Sequence, residues 1–458
     1  MSEQLLDQRV LLAYVLVLDL GVLALATFQN WRWFTLLGLL GSLALFWFWL
    51  DRLDPGLLLA QVGITVIFLI FMGATTLFHI LWRRMPGPMD LALMVINAAA
   101  YFGISYGLLF EAFQPWMGGF TLLLAMVYGL LAYTVLKKSR EQVYLSLFAL
   151  GIALVFLTIA VPVQLGGPWI GVAWAVEGAV LIWLSSVMRM SPLHWMGMAV
   201  FLIFAAWLLF IDTPDALTAD LRPVLNVYTV SYLAAIGATY LVAYLLHRQR
   251  EALQPWEDYI FSAFLVMGSL FLTIAIPVQV SGIWLPTAWA IEGIVLTWLS
   301  FRLELYQLRL FALGVFAIVV VRLLVFETGA VDLRTLRPVL NERFLAFTAG
   351  IAATYLTAYF YWRWRDKYFD QRERFLPPVF LAVANFLSLW LLSAEVITSV
   401  ESEFFAVSAG IAGNVTSLSL SILWALYAAV LMVLGIAGHW RWVRITGLGL
   451  LAVPVVKL

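Results

Sequence analysis

Cysteine is absent from the sequence, and charged residues are scarce. Without cysteine there is no disulfide, no thiolate nucleophile and no cysteine-based metal site. Charged residues make up 11% of the chain, whereas soluble domains carry about 25%. Basic and acidic residues number 26 each, so no excess of positive charge indicates nucleic acid as a partner. The four histidines lie far apart, and we predict neither a metal site nor a cofactor.

Signatures of nucleotide binding and of hydrolysis are also missing. The sequence contains no Walker loop, no dinucleotide fingerprint, no His-Glu-x-x-His motif and no nucleophile elbow. It has no polar segment long enough to form a soluble nucleotide-binding domain. Energy from ATP would therefore have to come through a partner protein.

Long apolar runs are abundant. Hydrophobic residues make up 64% of the 458 residues, and the mean hydropathy is +0.99. Residues 11–28, 57–81 and 116–136 are apolar on every face, so lipid is the solvent that suits them. We therefore predict an all-α fold, a polytopic transmembrane helical bundle of about 16 spans, at about 20 apolar residues each. The tenth helix is predicted at 257–279 and the fifteenth at 417–438. Membrane lipids are its expected surroundings.

The polar breaks between these runs differ in positive charge. When the predicted loops are assigned alternately to two sides, most basic residues fall opposite the N-terminus. The breaks at 83–84 and 137–140 are the clearest examples. Because positive charge is retained in the cytoplasm, we predict that the N-terminus lies outside.

One long block of sequence occurs twice. Residues 156–185 read FLTIAVPVQLGGPWIGVAWAVEGAVLIWLS, and residues 271–300 read FLTIAIPVQVSGIWLPTAWAIEGIVLTWLS. Corresponding residues lie 115 positions apart, and the same offset relates the two RPVLN segments at 222–226 and 337–341. Similarity at a fixed offset indicates a repeated structural unit.

Each predicted unit contains four spans. An even number of spans returns the chain to the side where it began, so successive units are parallel repeats. We predict N-terminal helices with a degenerate copy at 1–140, unit one at 141–255, unit two at 256–370 and a partial third unit at 371–458. By this division the last unit lacks its fourth span, which would make Leu458 a truncated end.

Two glutamates in the doubled block are the main candidates for a functional site. Glu177 and Glu292 lie within apolar spans, where a carboxyl group is costly and by default functional. Each shares a helix face with the tryptophan three residues before it. The predicted substrate-binding residues of the block are Gln164, Trp174, Glu177, Gln279, Trp289 and Glu292. The alternative is structural: a neighbouring glutamine or tryptophan N–H would bind each glutamate and lock helices together.

Two arginines on the predicted outer side are further binding candidates. Arg222 and Arg337 each precede a proline, and an outward guanidinium group suits a phosphate or a carboxylate. A structural salt bridge to a nearby acidic residue is the alternative. Asn226 and Asn341, which end the same segments, are predicted helix N-caps.

The block IAxPVQxxxxWxxxAWAxEGxxLxWLS, the loop LRPVLN and the later SLSxxWALY resemble an uncharacterised family of bacterial multi-pass membrane proteins, domain of unknown function 2339. The resemblance extends from about Asn97 to the end of the chain. The sequence departs from the family in lacking a long polar N-terminal region and in ending earlier. The resemblance implies a bacterial cell envelope location and supplies no activity, substrate or cofactor. Together with the charge bias of the loops, we predict the cell inner membrane, with the N-terminus on the periplasmic side.

Three functional hypotheses fit these patterns. The leading one is an inner-membrane protein that binds or translocates an envelope substrate, a glycan or lipid-linked sugar, through an outward-facing pocket. The second is a membrane-embedded glycosyl- or acyl-type transferase with a glutamate as general base. The third is a non-catalytic intramembrane scaffold subunit with protein partners in the cell envelope. The sequence leaves open whether the chain is an enzyme.

Overall fold

Every element of the computed structural model is helical within the residues that the structure describes. These are residues 2–28, 32–53, 56–82, 86–138, 143–188, 191–218, 226–248, 257–282, 284–328, 341–368, 373–401 and 409–457. For this part of the chain the predicted all-α fold is confirmed.

Seventeen α-helices follow one another along these residues. They are α1 (Ser2–Phe28), α2 (Arg32–Leu53), α3 (Leu57–Trp82), α4 (Pro88–Phe113), α5 (Met117–Lys138), α6 (Val143–Gln164), α7 (Trp169–Met188), α8 (Ser191–Trp207), α9 (Thr213–Thr218), α10 (Val227–Arg248), α11 (Glu257–Gln279), α12 (Trp284–Arg302), α13 (Tyr306–Arg322), α14 (Glu342–Tyr368), α15 (Leu376–Glu401), α16 (Ala409–Ala437) and α17 (Arg441–Lys457). Two π-helical turns, Leu208–Asp212 and Leu323–Glu327, extend α8 and α13. A 3₁₀ turn, Gln114–Trp116, joins α4 to α5.

By length and composition, 11 helical stretches in the described residues are able to cross a membrane. One of them, Pro88–Lys138, contains both α4 and α5. Shorter apolar stretches occur in α1, α7 and α17. The multi-pass membrane character of the chain is therefore supported, whereas the number of sixteen spans stays a prediction.

The chain divides into two compact units, Met1–Leu209 and Phe210–Leu458. In the first unit, buried side chains such as Phe71 of α3 and Tyr128 of α5 form the core. In the second unit, Phe347 of α14 belongs to a core shared with α12, α13 and α15. Large apolar side chains also cover exposed helix faces in both units, as expected for helices in lipid. The repeat boundaries at 140, 255 and 370 remain predictions.

The turns after α6 and α11 are built alike. Pro162 and Pro277 lie in the last turn of each helix, which ends two residues later. Gly167 and Gly282 follow, with φ angles of +55° and +59°. Glycine adopts this left-handed conformation without the strain that a Cβ atom causes. Each glycine therefore permits the tight turn from which α7 or α12 begins.

A glycine in α7 and another in α12 allow close packing of the following helix. A Cβ atom on Gly178 would lie 2.7 Å from Cδ2 of Phe201 in α8, and one on Gly293 would lie 2.9 Å from Cε2 of Phe316 in α13. Ordinary contacts between carbon atoms are about 3.5–4.0 Å. Each phenylalanine ring therefore packs onto bare backbone directly after a candidate glutamate.

Candidate functional site

A threonine joins Glu177 to the preceding helix. The Thr158 hydroxyl of α6 donates a hydrogen bond to Glu177 Oε1 of α7 at 2.8 Å. Trp174 Nε1 donates to the backbone oxygen of the same threonine at 3.0 Å. Glu177 is only 9% exposed. We call Thr158, Trp174 and Glu177 the α6–α7 joint, because both hydrogen bonds fasten these two helices to each other.

The same arrangement occurs between α11 and α12. The Thr273 hydroxyl donates to Glu292 Oε1 at 2.7 Å, and Trp289 Nε1 donates to the Thr273 backbone oxygen at 2.9 Å. Glu292 is 5% exposed. We call Thr273, Trp289 and Glu292 the α11–α12 joint. The predicted pairing of tryptophan with glutamate is thus indirect, through a threonine that binds both.

The second carboxyl oxygen of the glutamate in each joint does not take part in the hydrogen bonds described above. Glu177 Oε2 and Glu292 Oε2 are buried and have no hydrogen-bond partner in the part of the chain that the structure describes. Neither glutamate takes part in the ion pairs of those residues. Burying a polar atom without a partner is unfavourable. Each joint therefore connects two helices and also contains a carboxyl oxygen that is able to form a further hydrogen bond.

The two glutamines of the doubled block lie outside the joints. Gln164 is exposed, and its Nε2 donates to the backbone oxygen of Pro115 at 3.3 Å. Gln279 Oε1 accepts hydrogen bonds from Asn226 Nδ2 at 3.1 Å and from the Thr229 hydroxyl at 3.0 Å. The structure therefore brings tryptophan and glutamate together in each copy and places the glutamines at other helix contacts.

The segments with the sequence RPVLN are only partly described. Arg222 and Arg337 lie outside the described residues. Asn226 Oδ1 accepts from the backbone N–H of Thr229 at 3.0 Å, and Asn341 Oδ1 accepts from that of Phe344 at 2.8 Å. These bonds satisfy free N–H groups in the first turns of α10 and α14, so both predicted N-caps are confirmed.

A groove between α11 and α13 reaches the second joint. Its volume is about 600 Å³, and most of its walls are apolar. Residues in its walls include Ser262, Leu270, Thr273, Tyr306, Gln307 and Ile318. Thr273, which binds Glu292, thus also faces this groove. A second groove, of about 640 Å³, lies against α6 in the first unit, and its walls include Phe102, Phe148, Phe156 and Met196.

Comparison with known proteins identifies one family. Residues 1–234 and 304–458 match the family described as Predicted membrane protein (DUF2339). The chain belongs to this family. The resemblance noted from the doubled block is thereby confirmed, and the α6–α7 joint lies within the matched residues of DUF2339, whereas the α11–α12 joint falls between the two matched stretches. No curated protein and no solved structure matches the chain.

A related contact in this DUF2339 chain lacks the glutamate. Trp424 Nε1 of α16 donates to the Ser393 hydroxyl of α15 at 2.9 Å. The Tyr427 hydroxyl, at the position expected for a glutamate, donates to Asn385 Oδ1 at 3.1 Å. The tryptophan contact between helices is thus present here, with a phenol in place of the carboxyl group.

The sequence-based reasoning missed the partners of these residues. Thr158 and Thr273 stand in the doubled block, in FLTIA, but an uncharged threonine in an apolar run was given no role. It also missed a buried ion pair between Arg343 and Glu395, whose Nη2 and Oε1 atoms are 2.8 Å apart. These two residues are 52 positions apart, and no sequence pattern connects them.

The described residues offer no cluster for a metal ion. Among them, no three His, Cys, Asp or Glu side chains come together. The chemistry available at the joints is therefore that of a carboxyl group, a hydroxyl group and an indole N–H. Such groups bind protons and hydrogen-bonding ligands.

Proposed function

We propose that this DUF2339 protein is an inner-membrane protein that binds or translocates an envelope substrate, a glycan or lipid-linked sugar. The observation that carries this proposal is the groove between α11 and α13, because Thr273 in its wall holds the buried Glu292. A mostly apolar groove of about 600 Å³ is within the range of ligand pockets and suits a lipid chain. The α11–α12 joint would then sense or bind the part of the substrate that is attached to the lipid chain.

The proposed architecture has sixteen spans, parallel four-helix repeats and an N-terminus in the periplasm. Contacts that recur at the 115-residue offset support the repeats. They are the two joints, the contacts of Gly178 with Phe201 and of Gly293 with Phe316, and the π-helical turns Leu208–Asp212 and Leu323–Glu327. In this proposal each unit has its own polar contacts on the outer side: Gln164 in the first unit, and Gln279, Arg222 and Arg337 in the second.

Native mass spectrometry of the gently extracted protein, with a polyprenyl phosphate added as the probe, tests this function. The wild type is compared with the double variant Glu177→Gln/Glu292→Gln. Glutamine still offers an oxygen to the threonine hydroxyl, so the joints should persist while the carboxyl groups are lost. We expect the wild type to retain the polyprenyl phosphate and the double variant to lose it. Equal retention by both would overturn the proposal.

Two further variants separate the groove from the joint. Leu270→Trp fills the α11–α13 groove without changing the joint, and we expect it to lose the polyprenyl phosphate as well. Tyr427→Phe changes the contact that lacks a glutamate, and it should keep the lipid. Binding of a bulk phospholipid should remain equal in all variants, since it reports the surrounding lipid shell.

A non-catalytic scaffold is the second candidate, and the joints themselves favour it. Two hydrogen bonds between neighbouring helices in each joint suit a rigid framework that presents its surface to partner proteins. In that case the double glutamine variant leaves the associated complex intact, whereas alterations of the outward loops release it. Co-purification of the same defined subunits with each variant distinguishes these results.

A membrane-embedded transferase is the third candidate. A general base has to reach the proton that it abstracts. Glu177 and Glu292 are only 9% and 5% exposed, and this burial is unfavourable for a general base. Turnover of a polyprenyl-phosphate-linked sugar by the purified protein, lost in the double glutamine variant, would favour the transferase over a carrier.

A further inference from the structure

The first unit contains a buried carboxyl group that belongs to neither joint. Asp19 of α1 is 1% exposed and lies within the apolar stretch Val10–Ala26. Its Oδ1 atom shares a hydrogen bond with the Ser42 hydroxyl of α2. Its Oδ2 atom is buried and has no hydrogen-bond partner among the described residues. Asp19 lies seven residues from Ala26, the nearer end of this stretch, which is roughly 10 Å along α1 at 1.5 Å per residue. A lipid headgroup at that end would have to enter by this distance to reach it.

The number of hydrogen atoms at this contact indicates where a proton lies. The Ser42 hydroxyl is also 2.9 Å from the backbone oxygen of Gly38, and a hydroxyl group has a single hydrogen to donate. When that hydrogen goes to the Gly38 oxygen, the second contact requires a hydrogen on the Asp19 carboxyl group. The protonated acid then donates to Ser42, and both contacts are satisfied.

The threonine hydroxyl groups of both joints have the same two kinds of oxygen neighbour. The hydroxyl groups of Thr158 and Thr273 each lie 2.9 Å from the backbone oxygen four residues earlier, in addition to their contact with a glutamate. Three carboxyl groups in apolar helices therefore share one arrangement. Asp19 differs from the other two because its residue itself forms part of a groove wall.

The groove between α1 and α2 limits the ligand that Asp19 can hold. Its volume is about 410 Å³, and Asp19 and Ser42 are the polar side chains in its walls. A Cβ atom on Gly21 or Gly41 would meet no other atom within 4 Å, so the groove is open at these positions. Calcium takes 6–8 oxygen ligands and magnesium about six, which one carboxyl and one hydroxyl group cannot supply. A proton needs only one of them.

Among the side chains that the structure describes on neighbouring helices, none supplies a free charge close to Asp19. Helix α1 packs against α2 and α3. The other titratable or charged side chains described on these three helices are Tyr14, Arg32, Asp51 and Arg52. Arg32 is bound to Asp90 of α4, and Asp51 and Arg52 are exposed neighbours. Arg32, Asp51 and Arg52 lie nine or ten residues from Ser42, which is about 14–15 Å along the helix.

From this geometry we propose that Asp19 and Ser42 form a proton-binding site inside the membrane that opens onto the α1–α2 groove. The bound ligand is a single proton, held on the Asp19 carboxyl group and donated to Ser42. This site is independent of the proposed envelope substrate. Its failure in the test below would leave the proposal for the two joints unaffected.

Carbodiimide labelling of the full chain in liposomes tests the site. Dicyclohexylcarbodiimide adds to a protonated carboxyl group: the acid proton goes to a nitrogen, the oxygen bonds to the central carbon, and rearrangement gives a stable N-acylurea without any other reactant. We expect peptide mass spectrometry to find this label on Asp19 at neutral pH and to find less of it as the pH is raised. Asp19→Asn should reduce the label at this position to background.

A water-soluble carbodiimide provides the matched control. It should modify the exposed Asp51 of α2 and leave Asp19 unmodified, because Asp19 is reached from the groove and not from water. Equal modification of both residues by the water-soluble reagent would show an ordinary hydrated carboxylate and overturn the proposal.

Infrared difference spectroscopy tests whether Asp19 is protonated, independently of whether a reagent reaches it through the groove. The carbonyl stretch of a carboxylic acid differs from the bands of a carboxylate, and we expect an acid band in the wild type that is missing in Asp19→Asn. Absence of both the band and the label overturns the site. An acid band without labelling retains the proton on Asp19 and overturns its opening onto the groove.

Discussion

The two asparagine caps of the second unit occupy corresponding places, at residues 226 and 341, but they are bound to the next helix by different chemistry. Asn226 Nδ2 donates to Gln279 Oε1 at 3.1 Å. Asn341 Nδ2 donates to Glu395 Oε2 at 2.9 Å, and Glu395 also binds Arg343. The first contact joins two neutral amides, whereas the second includes a buried ion pair.

This difference in chemistry determines how much stability is lost when each contact is broken. A neutral hydrogen bond contributes about 0.5–1.5 kcal/mol net, and its loss leaves no charge behind. Arg343 and Glu395 are 2% and 6% exposed, so removing one partner leaves the other charge buried. A buried ion pair need not stabilise more than apolar packing would, but breaking it is more costly. The α14–α15 contact should therefore be the more sensitive of the two.

The largest effect is expected from Arg343→Met. This substitution leaves Glu395 without its cation and should lower the free energy of unfolding by about 3–5 kcal/mol. Denaturant unfolding in detergent micelles measures the change. The double variant Arg343→Met/Glu395→Leu removes both charges and should recover most of the loss. If the double variant is no more stable than the single one, the loss of packing by Arg343 explains the effect and the ion pair does not.

A matched control comes from the position 115 residues earlier. Tyr228 of α10 corresponds to Arg343 and is partly exposed; Asp212 and Asp215 lie near it, but a neutral phenol forms no ion pair with them. We expect Tyr228→Leu to change the free energy of unfolding by only about 0.5 kcal/mol. A loss as large as that of Arg343→Met would contradict the difference between the two contacts.

The sequence predicted helices well because each apolar run and each polar break is a local signal. The sixteen long helices of the described residues were all expected in order, and α11 was predicted at 257–279, where the structure has it. The start of α16 was misplaced: it was predicted at 417, and the structure begins it at Ala409. Residues 409–416, AGIAGNVT, have small and polar side chains that indicate a break, but they continue a helix here.

The partners of the candidate residues could not be predicted to the same extent. Two π-helical turns extend helices that the sequence predicts as regular. They could not be predicted because a local change to i→i+5 hydrogen bonding leaves no pattern in the apolar runs. The Thr158–Glu177 contact was accessible in principle, since both residues recur in the doubled block. The Arg343–Glu395 pair was not, since it depends on how α14 and α15 are packed side by side.

An intermediate effect is expected from Gln279→Leu. Leucine removes the oxygen that accepts from Asn226 and Thr229, so the donors lose their partner at a cost of about 1–3 kcal/mol. Gln279→Glu retains an acceptor and should cost less. Gln164→Leu is the control, because Gln164 is exposed and its side chain makes one hydrogen bond among the described residues, at 3.3 Å; we expect a change within about 0.5 kcal/mol. Equal losses in both leucine variants would show that the contact of Gln279 has no special importance.

The smallest of the three effects is expected from Asn226→Ala, which removes the cap of α10. Loss of an asparagine N-cap costs about 0.5–2 kcal/mol, and Asn226→Ser should restore most of it because a serine hydroxyl also accepts from the N–H of Thr229. Serine is too short to reach Gln279, so a full rescue would mean that the cap matters more than the lateral bond.

The double variant Asn226→Ala/Gln279→Leu completes a cycle in which residues that share a bond should be non-additive by at least about 0.5 kcal/mol. Strict additivity would show that the amide contact between α10 and α11 contributes nothing beyond the cap, and the comparison with Asn341 would then depend on the ion pair alone.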